Sequence, residues 1–294
     1  MLDITSSLCY IIYCNNKHYN KKNQEDTFMD KNCCKKISLA KGELHVYDFG
    51  AVKLHAYRTN DYLEDEVFVL EKAGRAVILE SPCFTDNIAE FTDYLVAEGL
   101  HVEGILLSYH LAGGTLLPNV RKYATRRAEE YGLNGGGAGL ISNFKASFGA
   151  EFDATVHKIT DYLQAGETEI AGIRLIIVPT EEAYDVIVPE INAVYTHMLG
   201  HDCHSIVAGT SHADAMIAQL KGYLSERYDL VLTSHYTPED LKDVSAKIEY
   251  LEQLKGLAAE CESAEELKSR VRTQYPSYSG DNYLEMTANM FFPE

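Results

Sequence analysis

Two strand-rich stretches, each followed by helical segments, constrain the fold of this chain more than any other feature of its sequence. In residues 44–80, four short apolar runs are separated by turns, two of them at Gly50 and at Ala73-Gly74. Residues 168–197 repeat this arrangement, with a turn at Ala171-Gly172. Short apolar runs bounded by glycine are typical of β-hairpins. We therefore expect two β-sheets.

These two sheets determine the predicted architecture. A sheet with an apolar face must bury that face against another layer. We predict an α+β protein in which two mixed sheets pack face to face with helices outside, an αββα sandwich. The predicted domain spans residues 41–294 as one unit. Residues 1–40 mix Lys, Asn, Gln and Cys without periodicity, and we expect a disordered N-terminal extension there.

Helices are predicted between and after the strands. One is expected to end at Gly99, and Thr237 is a suitable N-cap for a long helix that ends at Cys261. Two more are expected over residues 116–131 and 140–163, on either side of a glycine-rich break at residues 134–139, the second with an interruption near Gly149. This break lacks the Lys-Ser/Thr pair of a phosphate-binding loop and the spacing of a dinucleotide fingerprint. It therefore predicts a solvent loop or a lid and no nucleotide cofactor.

Charge and composition restrict the partners. The chain has 26 Lys and Arg against 44 Asp and Glu, a formal net charge of −18, which argues against nucleic acid or an anionic membrane as partner. No apolar run approaches the roughly 20 residues of a membrane span. The seven cysteines form neither an even disulfide framework nor a CxxC pair. We expect a cytoplasmic protein with reduced thiols.

One stretch, Val102–Gly114, contains the clearest candidate for a functional residue. Ile105-Leu106-Leu107 predicts a short buried strand, and Ser108-Tyr109-His110 follows directly. The next glycine pair, Gly113-Gly114, lets the backbone turn tightly. A histidine at the exit of a buried strand is well placed to face a cleft, so His110 is a candidate site residue.

Several segments resemble landmarks of the metallo-β-lactamase superfamily, in the same order along the chain. Val77–Glu80 resembles the strand VLID, with Glu80 in place of Asp, and Ser108–Gly114 resembles the end of the metal-binding loop. Pro189–Tyr195 and Leu232–His235 resemble two later motifs of these proteins. The resemblance implies the αββα fold and a metal-dependent hydrolase.

The resemblance also implies a ligand set. These enzymes hold one or two zinc ions through His-x-His-x-Asp-His, a distant His, a bridging Asp and a last His, and the zinc activates a water molecule. Here the first His and the Asp-His of the loop are missing, the distant His falls on residues 181–183, and the bridging Asp falls on His197-Met198. Only His110 and His235 match, so we expect the standard two-metal site to be absent.

A cluster of ligand-type residues at 200–204 offers a way to rebuild a site. Its imidazole and carboxylate groups suit zinc, iron or manganese. The candidate metal ligands are then His110, His201, Asp202, His204 and His235. Asp202 and Tyr109 are the candidate catalytic residues. The alternative is that the residues of this cluster are loop polar groups that form an internal hydrogen-bond network.

Two functions stay open from the sequence. The first is a metal-dependent hydrolase that cleaves an ester or thioester-like bond of a small substrate with a non-standard metal site. The second is a non-catalytic small-ligand-binding or regulatory protein that retains the fold and has lost the metal site. In both, the expected partner is a small molecule, and a homodimer is an open alternative.

Overall fold

The chain folds into two β-sheets that pack face to face between outer helices. A computed structural model describes residues 31–293, and within them the predicted αββα arrangement is confirmed. Most of the predicted N-terminal extension, residues 1–30, lies outside the described part. Strand β1 (Lys35–Ser38) pairs with the strand that follows it, so the first sheet begins on the N-terminal side of the predicted boundary at residue 41.

The first sheet has eight strands that lie in the sheet in chain order. They are β1, β2 (Gly42–Asp48), β3 (Lys53–Thr59), β4 (Glu66–Lys72), β5 (Arg75–Leu79), β6 (His101–Leu106), β7 (Arg121–Ala124) and β8 (Asp161–Tyr162). The first five form an antiparallel meander. From β5 to β8 the neighbouring strands are parallel, because each connection crosses over the sheet.

The second sheet has six strands in the order β14-β13-β12-β11-β10-β9. They are β9 (Gly166–Ile170), β10 (Ile173–Pro179), β11 (Tyr184–Val188), β12 (Ala193–Thr196), β13 (Leu230–Thr233) and β14 (Tyr236–Glu239). Only the β12–β13 pair is parallel, and the other neighbours are antiparallel. The carboxyl ends of β12 and β13 therefore meet at the same edge.

Seven α-helices occur within residues 31–293. They are α1 (Thr85–Ala97), α2 (Arg126–Asn134), α3 (Gly136–Phe148), α4 (Thr210–Glu226), α5 (Leu241–Glu260), α6 (Ala264–Gln274) and α7 (Asp281–Phe291). Short 3₁₀ turns occupy Gly149–Glu151 and Pro189–Ile191. None of these helices combines the length and the apolar character that a membrane crossing requires.

The core follows from side-chain alternation along the strands. In β4, Phe68 and Leu70 belong to the cluster between the two sheets, whereas Val67 and Val69 pack with α1 on the outer face. Successive strand residues point to opposite faces, so a strand covered on both sides is apolar throughout. Full burial of one such side chain stabilises the fold by about 1.5–3 kcal/mol. A third apolar cluster joins the second sheet to α4, α5, α6 and α7.

Three expected helices differ from the structure. Residues 121–124, predicted as helix, form β7, because its backbone completes a parallel ladder with β6. The helix predicted over 140–163 begins earlier, at Gly136 inside the predicted loop, and ends at Phe148; Gly149, the predicted interruption, has a φ of +58°, and no α-helix resumes before residue 163. The long helix is capped by Asp240, whose carboxylate accepts from the amides of Lys242 and Asp243, whereas Thr237 lies in β14. Tertiary pairing overrides weak local propensity at these points.

The two sheets meet at the edge where the candidate site lies. Strands β6, β12 and β13 end at this edge, just before His110, His197 and His235 in the chain. The amide of Glu66, at the start of β4, donates to the carbonyl of Ser234 at 2.7 Å and joins the sheets there. Strand ends from both sheets thus bring residues that are distant in sequence to one place.

Candidate metal centre

Three histidines converge at the shared edge of the sheets. Nε2 of His110 lies 3.1 Å from Nε2 of His197. The ring centroids of His110, His197 and His235 are 5.0, 5.1 and 5.2 Å apart pairwise, and one nitrogen from each lies within 4.8 Å of the other two. The rings are only partly buried, so the cluster is accessible from solvent.

The loop that presents His110 is held by Glu80. Oε1 of Glu80 accepts from the amides of Ser108 and Tyr109 at 3.0 and 3.1 Å, and Oε2 accepts from the amide of His110 at 3.2 Å. The hydroxyl of Tyr195 adds a fourth bond at 2.8 Å. Glu80 itself has a φ of +66°, which is unusual for a residue with a Cβ. Strain of this kind concentrates at functional sites, and here the four hydrogen bonds offset it.

Gly113 fixes the turn after His110. Its φ is +79°, and a Cβ at this position would lie 2.2 Å from the carbonyl oxygen of Pro82 and 2.7 Å from Oγ of Ser81. Only glycine avoids both the strained conformation and this collision. The close approach ties the His110 loop to the segment that follows Glu80.

His197 is held by stacking. The ring of Tyr109 lies against it with centroids 4.4 Å apart and planes inclined by 22°. The hydroxyl of Tyr109 forms a 2.7 Å hydrogen bond with Oγ1 of Thr180, and burial raises the pKa of this phenol above its usual value. Burial, together with the neighbouring His110 and His235, lowers the pKa of His197 well below its ordinary value. A neutral imidazole is the form that binds a metal ion.

His235 has acceptors around its Nδ1 atom. This atom lies 3.3 Å from the carbonyl oxygen of Leu63 and 3.2 Å from Oδ1 of Asp65. Burial alone would lower the pKa of His235, but the hydrogen bond and the charge of Asp65, with smaller effects from Leu63 and Glu80, raise it above its ordinary value. With Nδ1 as the donor, Nε2 is the nitrogen available to the cluster.

The donor set fits one transition-metal ion. Zinc binds imidazole nitrogen at about 2.0–2.1 Å, so two ligands of one tetrahedral ion lie about 3.3 Å apart. The 3.1 Å between His110 and His197 is close to this value. Three imidazoles with a fourth position open to solvent are a known catalytic zinc set. Among residues 31–293 no carboxylate joins these three rings as a further ligand, so the set suits one ion and not two.

Comparison with solved structures supports the architecture. A metallo-β-lactamase from Erythrobacter litoralis, solved with β-mercaptoethanol in its active site, superposes with a TM-score of 0.52 and 12% identity, covering 74% of this chain and 100% of that chain. A metallo-β-lactamase family protein from Thermus thermophilus gives 0.56 and 16% identity, covering 82% and 91%. The chain has the metallo-β-lactamase fold. No protein-family model and no curated protein matches the sequence.

In this metallo-β-lactamase fold, two of the five predicted metal ligands lie together. His110 and His235 share the cluster described above. His201 lies in a separate group with Glu239 and Asp243, whose ligand-type atoms lie within 4.8 Å of one another: its amide donates to Oε1 of Glu239 at 2.7 Å, and its Nδ1 is 2.8 Å from the same oxygen. Asp243 is 3.5 Å from Nδ1 of His201 and also pairs with Lys31. Glu239, with Asp243 and Asp202, raises the pKa of His201 although burial opposes it.

Asp202 and His204 lie outside the histidine cluster and contact residues of the C-terminal part of the chain. The carbonyl of Asp202 accepts from the amide of Ser279 at 3.1 Å. His204 is buried with its Nδ1 3.1 Å from the Tyr250 hydroxyl, and its amide donates to the Ser279 carbonyl. Lys247, in α5, donates from its ammonium group to the carbonyls of Gly200 and Cys203. These two hydrogen bonds hold the loop that contains Asp202 and His204 against that helix.

Two residues of the site were not among those predicted. His197 occupies the position expected for the bridging Asp, and a search for any ligand residue there, instead of Asp alone, would have found it. Asp65 carries no sequence signal, because it precedes β4 and reaches His235 only through the folding of the first sheet onto the second.

Proposed function

We propose that the protein binds a single transition-metal ion through His110, His197 and His235, and that it hydrolyses an ester or thioester-like bond of a small molecule. The convergence of these three rings is the observation that carries the proposal. The metallo-β-lactamase fold supports it, because the resemblance to this superfamily implies a metal-dependent hydrolase.

The residues of the chain have distinct roles in this proposal. When bound, an ion such as zinc supplies a Lewis acid that polarises a carbonyl group and activates water. The three imidazoles hold the ion, and Glu80 keeps the His110 loop in place through its amide hydrogen bonds. Tyr109 orients His197 through its ring face, and its hydroxyl is bonded to Thr180. Tyr109 therefore acts in positioning and not in proton transfer.

The surroundings of the cluster favour a small substrate. The side chains of His110 and His235 are 21% and 17% exposed, which suits a shallow cleft open to solvent. The net charge of −18 repels polyanions such as nucleic acids. A small neutral or cationic molecule approaches this surface without that penalty.

Metal binding is the first test. We expect protein purified without an affinity tag and reloaded with zinc to hold about one equivalent, since a specific site fills nearly stoichiometrically. The His197→Gln variant should lose it, whereas His201→Gln should keep it, because His201 belongs to the Glu239 network. Less than about a tenth of an equivalent in the wild type, or equal loss in the two variants, would refute the proposed site.

A non-catalytic ligand-binding protein is the second candidate, and the small donor set favours it. Only three imidazoles converge among the described residues, and the bridging carboxylate that the metallo-β-lactamase resemblance implies for a two-metal site does not join them. Hydrolysis of a p-nitrophenyl ester and of a thioester by zinc-loaded protein separates the two candidates. Turnover that is absent in His197→Gln supports the hydrolase, and stoichiometric zinc without turnover supports the binding protein.

A further inference from the structure

Asp65 is buried beside the histidine cluster without the partners that a buried carboxylate normally has. It directly precedes β4 and is 1% exposed. Its Oδ1 lies 3.2 Å from Nδ1 of His235, but the ring N–H is directed at the carbonyl of Leu63. Apart from this contact with His235, neither carboxylate oxygen has a hydrogen-bond partner among the described residues.

An isolated buried carboxylate is costly, so something must offset this charge. The imidazole of His235 is the polar group that faces this carboxylate, with Nδ1 3.2 Å from Oδ1 of Asp65. The contrast with Glu80 is informative, since the oxygens of Glu80 already accept four hydrogen bonds. Asp65 accepts no comparable set of hydrogen bonds, and its carboxylate lies beside His235 of the histidine cluster.

The two acceptors around His235 also decide its tautomer. Because the Leu63 carbonyl and the Asp65 carboxylate can only accept, Nδ1 must carry the proton. The lone pair then lies on Nε2, which leaves this nitrogen free to act as a ligand together with His110 and His197. A carboxylate or carbonyl behind a histidine ligand fixes the ring in this way and raises the basicity of the other nitrogen.

We propose that Asp65 is a positioning residue of the metal centre: it holds His235 as the Nδ1–H tautomer and supplies the buried negative charge that balances a divalent cation at the three histidines. This inference rests on the proposed metal site, and it assigns to Asp65 a role that no sequence motif indicates. Asp65 acts through His235 and does not itself contact the ion.

Glu66→Gln is a matched control for Asp65→Asn. Glu66 is the next residue, is equally buried at 1%, and its carboxyl oxygens also lack hydrogen-bond partners among the described residues. Arg58 and Glu43 are the charged groups that act on it, and none of the three histidines is among them. Both changes convert a buried carboxylate to an amide of the same shape.

We expect Asp65→Asn to weaken zinc affinity about 10- to 100-fold in competition with a chromophoric chelator, and Glu66→Gln to leave it within about 3-fold of wild type. The second readout is ¹⁵N NMR of the metal-free proteins, which reports the tautomer of His235. The wild type should show Nδ1–H, and Asp65→Asn should show a mixture, because an amide can also donate to Nδ1.

The outcomes separate this inference from the proposed function. Wild-type protein that binds no zinc refutes the metal site. The tautomer measurement still tests whether Asp65 fixes the proton of His235 on Nδ1. A metal-free wild type in which His235 carries its proton on Nε2 overturns the inference, and this measurement needs no variant to fold. Equal weakening of zinc affinity by both substitutions overturns it as well.

Discussion

Replacing Glu80 by glutamine removes one buried negative charge and leaves the shape of the side chain unchanged. The carboxylate accepts from three consecutive amides, those of residues 108–110, and from the Tyr195 hydroxyl. The substitution also leaves the backbone at φ +66° untouched. It therefore isolates the contribution of the charged hydrogen bonds that hold the His110 loop.

The structure sets the expected magnitude. Three of the four hydrogen bonds are accepted by Oε1, and the amide oxygen of glutamine can accept them in its place. Each of the three then weakens by about 1 kcal/mol, because a hydrogen bond to a charged group is stronger than a neutral one. The amide nitrogen then faces the N–H of His110, which leaves a donor without acceptor at a cost of about 1–3 kcal/mol. Relief from burying a charge offsets part of this loss. We expect the free energy of unfolding to fall by about 3–4 kcal/mol.

Urea unfolding of metal-free protein, followed by far-UV circular dichroism, measures this change. A loss of this size corresponds to a fall in Tm of about 5–7 °C for a chain of this length. Glu66→Gln is again the control, since burial raises the pKa of Glu66 well above its ordinary value and its carboxyl oxygens accept no hydrogen bond from the described residues. We expect that variant to lose less than about 1 kcal/mol. If the two substitutions destabilise the protein equally, the hydrogen bonds of Glu80 are not what holds the loop.

Three further predictions concern packing and pH. Gly113→Ala should cost at least about 2 kcal/mol in urea unfolding and reduce zinc binding, because its Cβ would meet the Pro82 carbonyl at 2.2 Å; unchanged zinc affinity would contradict a rigid loop. Leu175→Ala, at a fully buried position between the sheets, should cost about 2–5 kcal/mol with zinc stoichiometry retained. His157 is buried without hydrogen-bond partners for its ring within residues 31–293, and burial, with the charge of Lys122, lowers its pKa to about 3. As the pH falls, the unfolded chain therefore protonates His157 before the folded chain does. The free energy of unfolding should fall as the pH drops from about 6.5, by about 2 kcal/mol at pH 5. His157→Leu should remove this part of the pH dependence, and parallel stability curves for the wild type and the variant would refute the role of His157.

Strand pattern and motif order were sufficient to predict the layers of the fold. The hairpins at 44–80 and 168–197 have alternating or continuous apolar runs, and these runs can be buried only by two sheets in contact. Strand β7 was not predictable in the same way. Its four residues carry a Lys whose ammonium group is satisfied by the carbonyls of Leu117 and Val120, and this burial depends on the folded chain.

For the site, the sequence identified the residue types at strand ends but not which of these residues lie together. His110 and His235 follow apolar strands, and their place at the shared edge was readable from motif order. The residues at 200–204 had the densest ligand pattern in the chain, yet Lys247 draws their backbone onto α5. A single long-range contact of this kind is invisible in a local pattern.

The sequence by itself determined the two-sheet sandwich and the presence of histidines at its edge, because side-chain periodicity and turn residues are local properties of the chain. Only the tertiary structure decided which groups meet there. The crossing of β6, β12 and β13 to one edge selects His110, His197 and His235, and the packing of the loop before β4 brings Asp65 to Nδ1 of His235. Metal affinity depends on distances between ligand atoms, and the fold alone sets those distances.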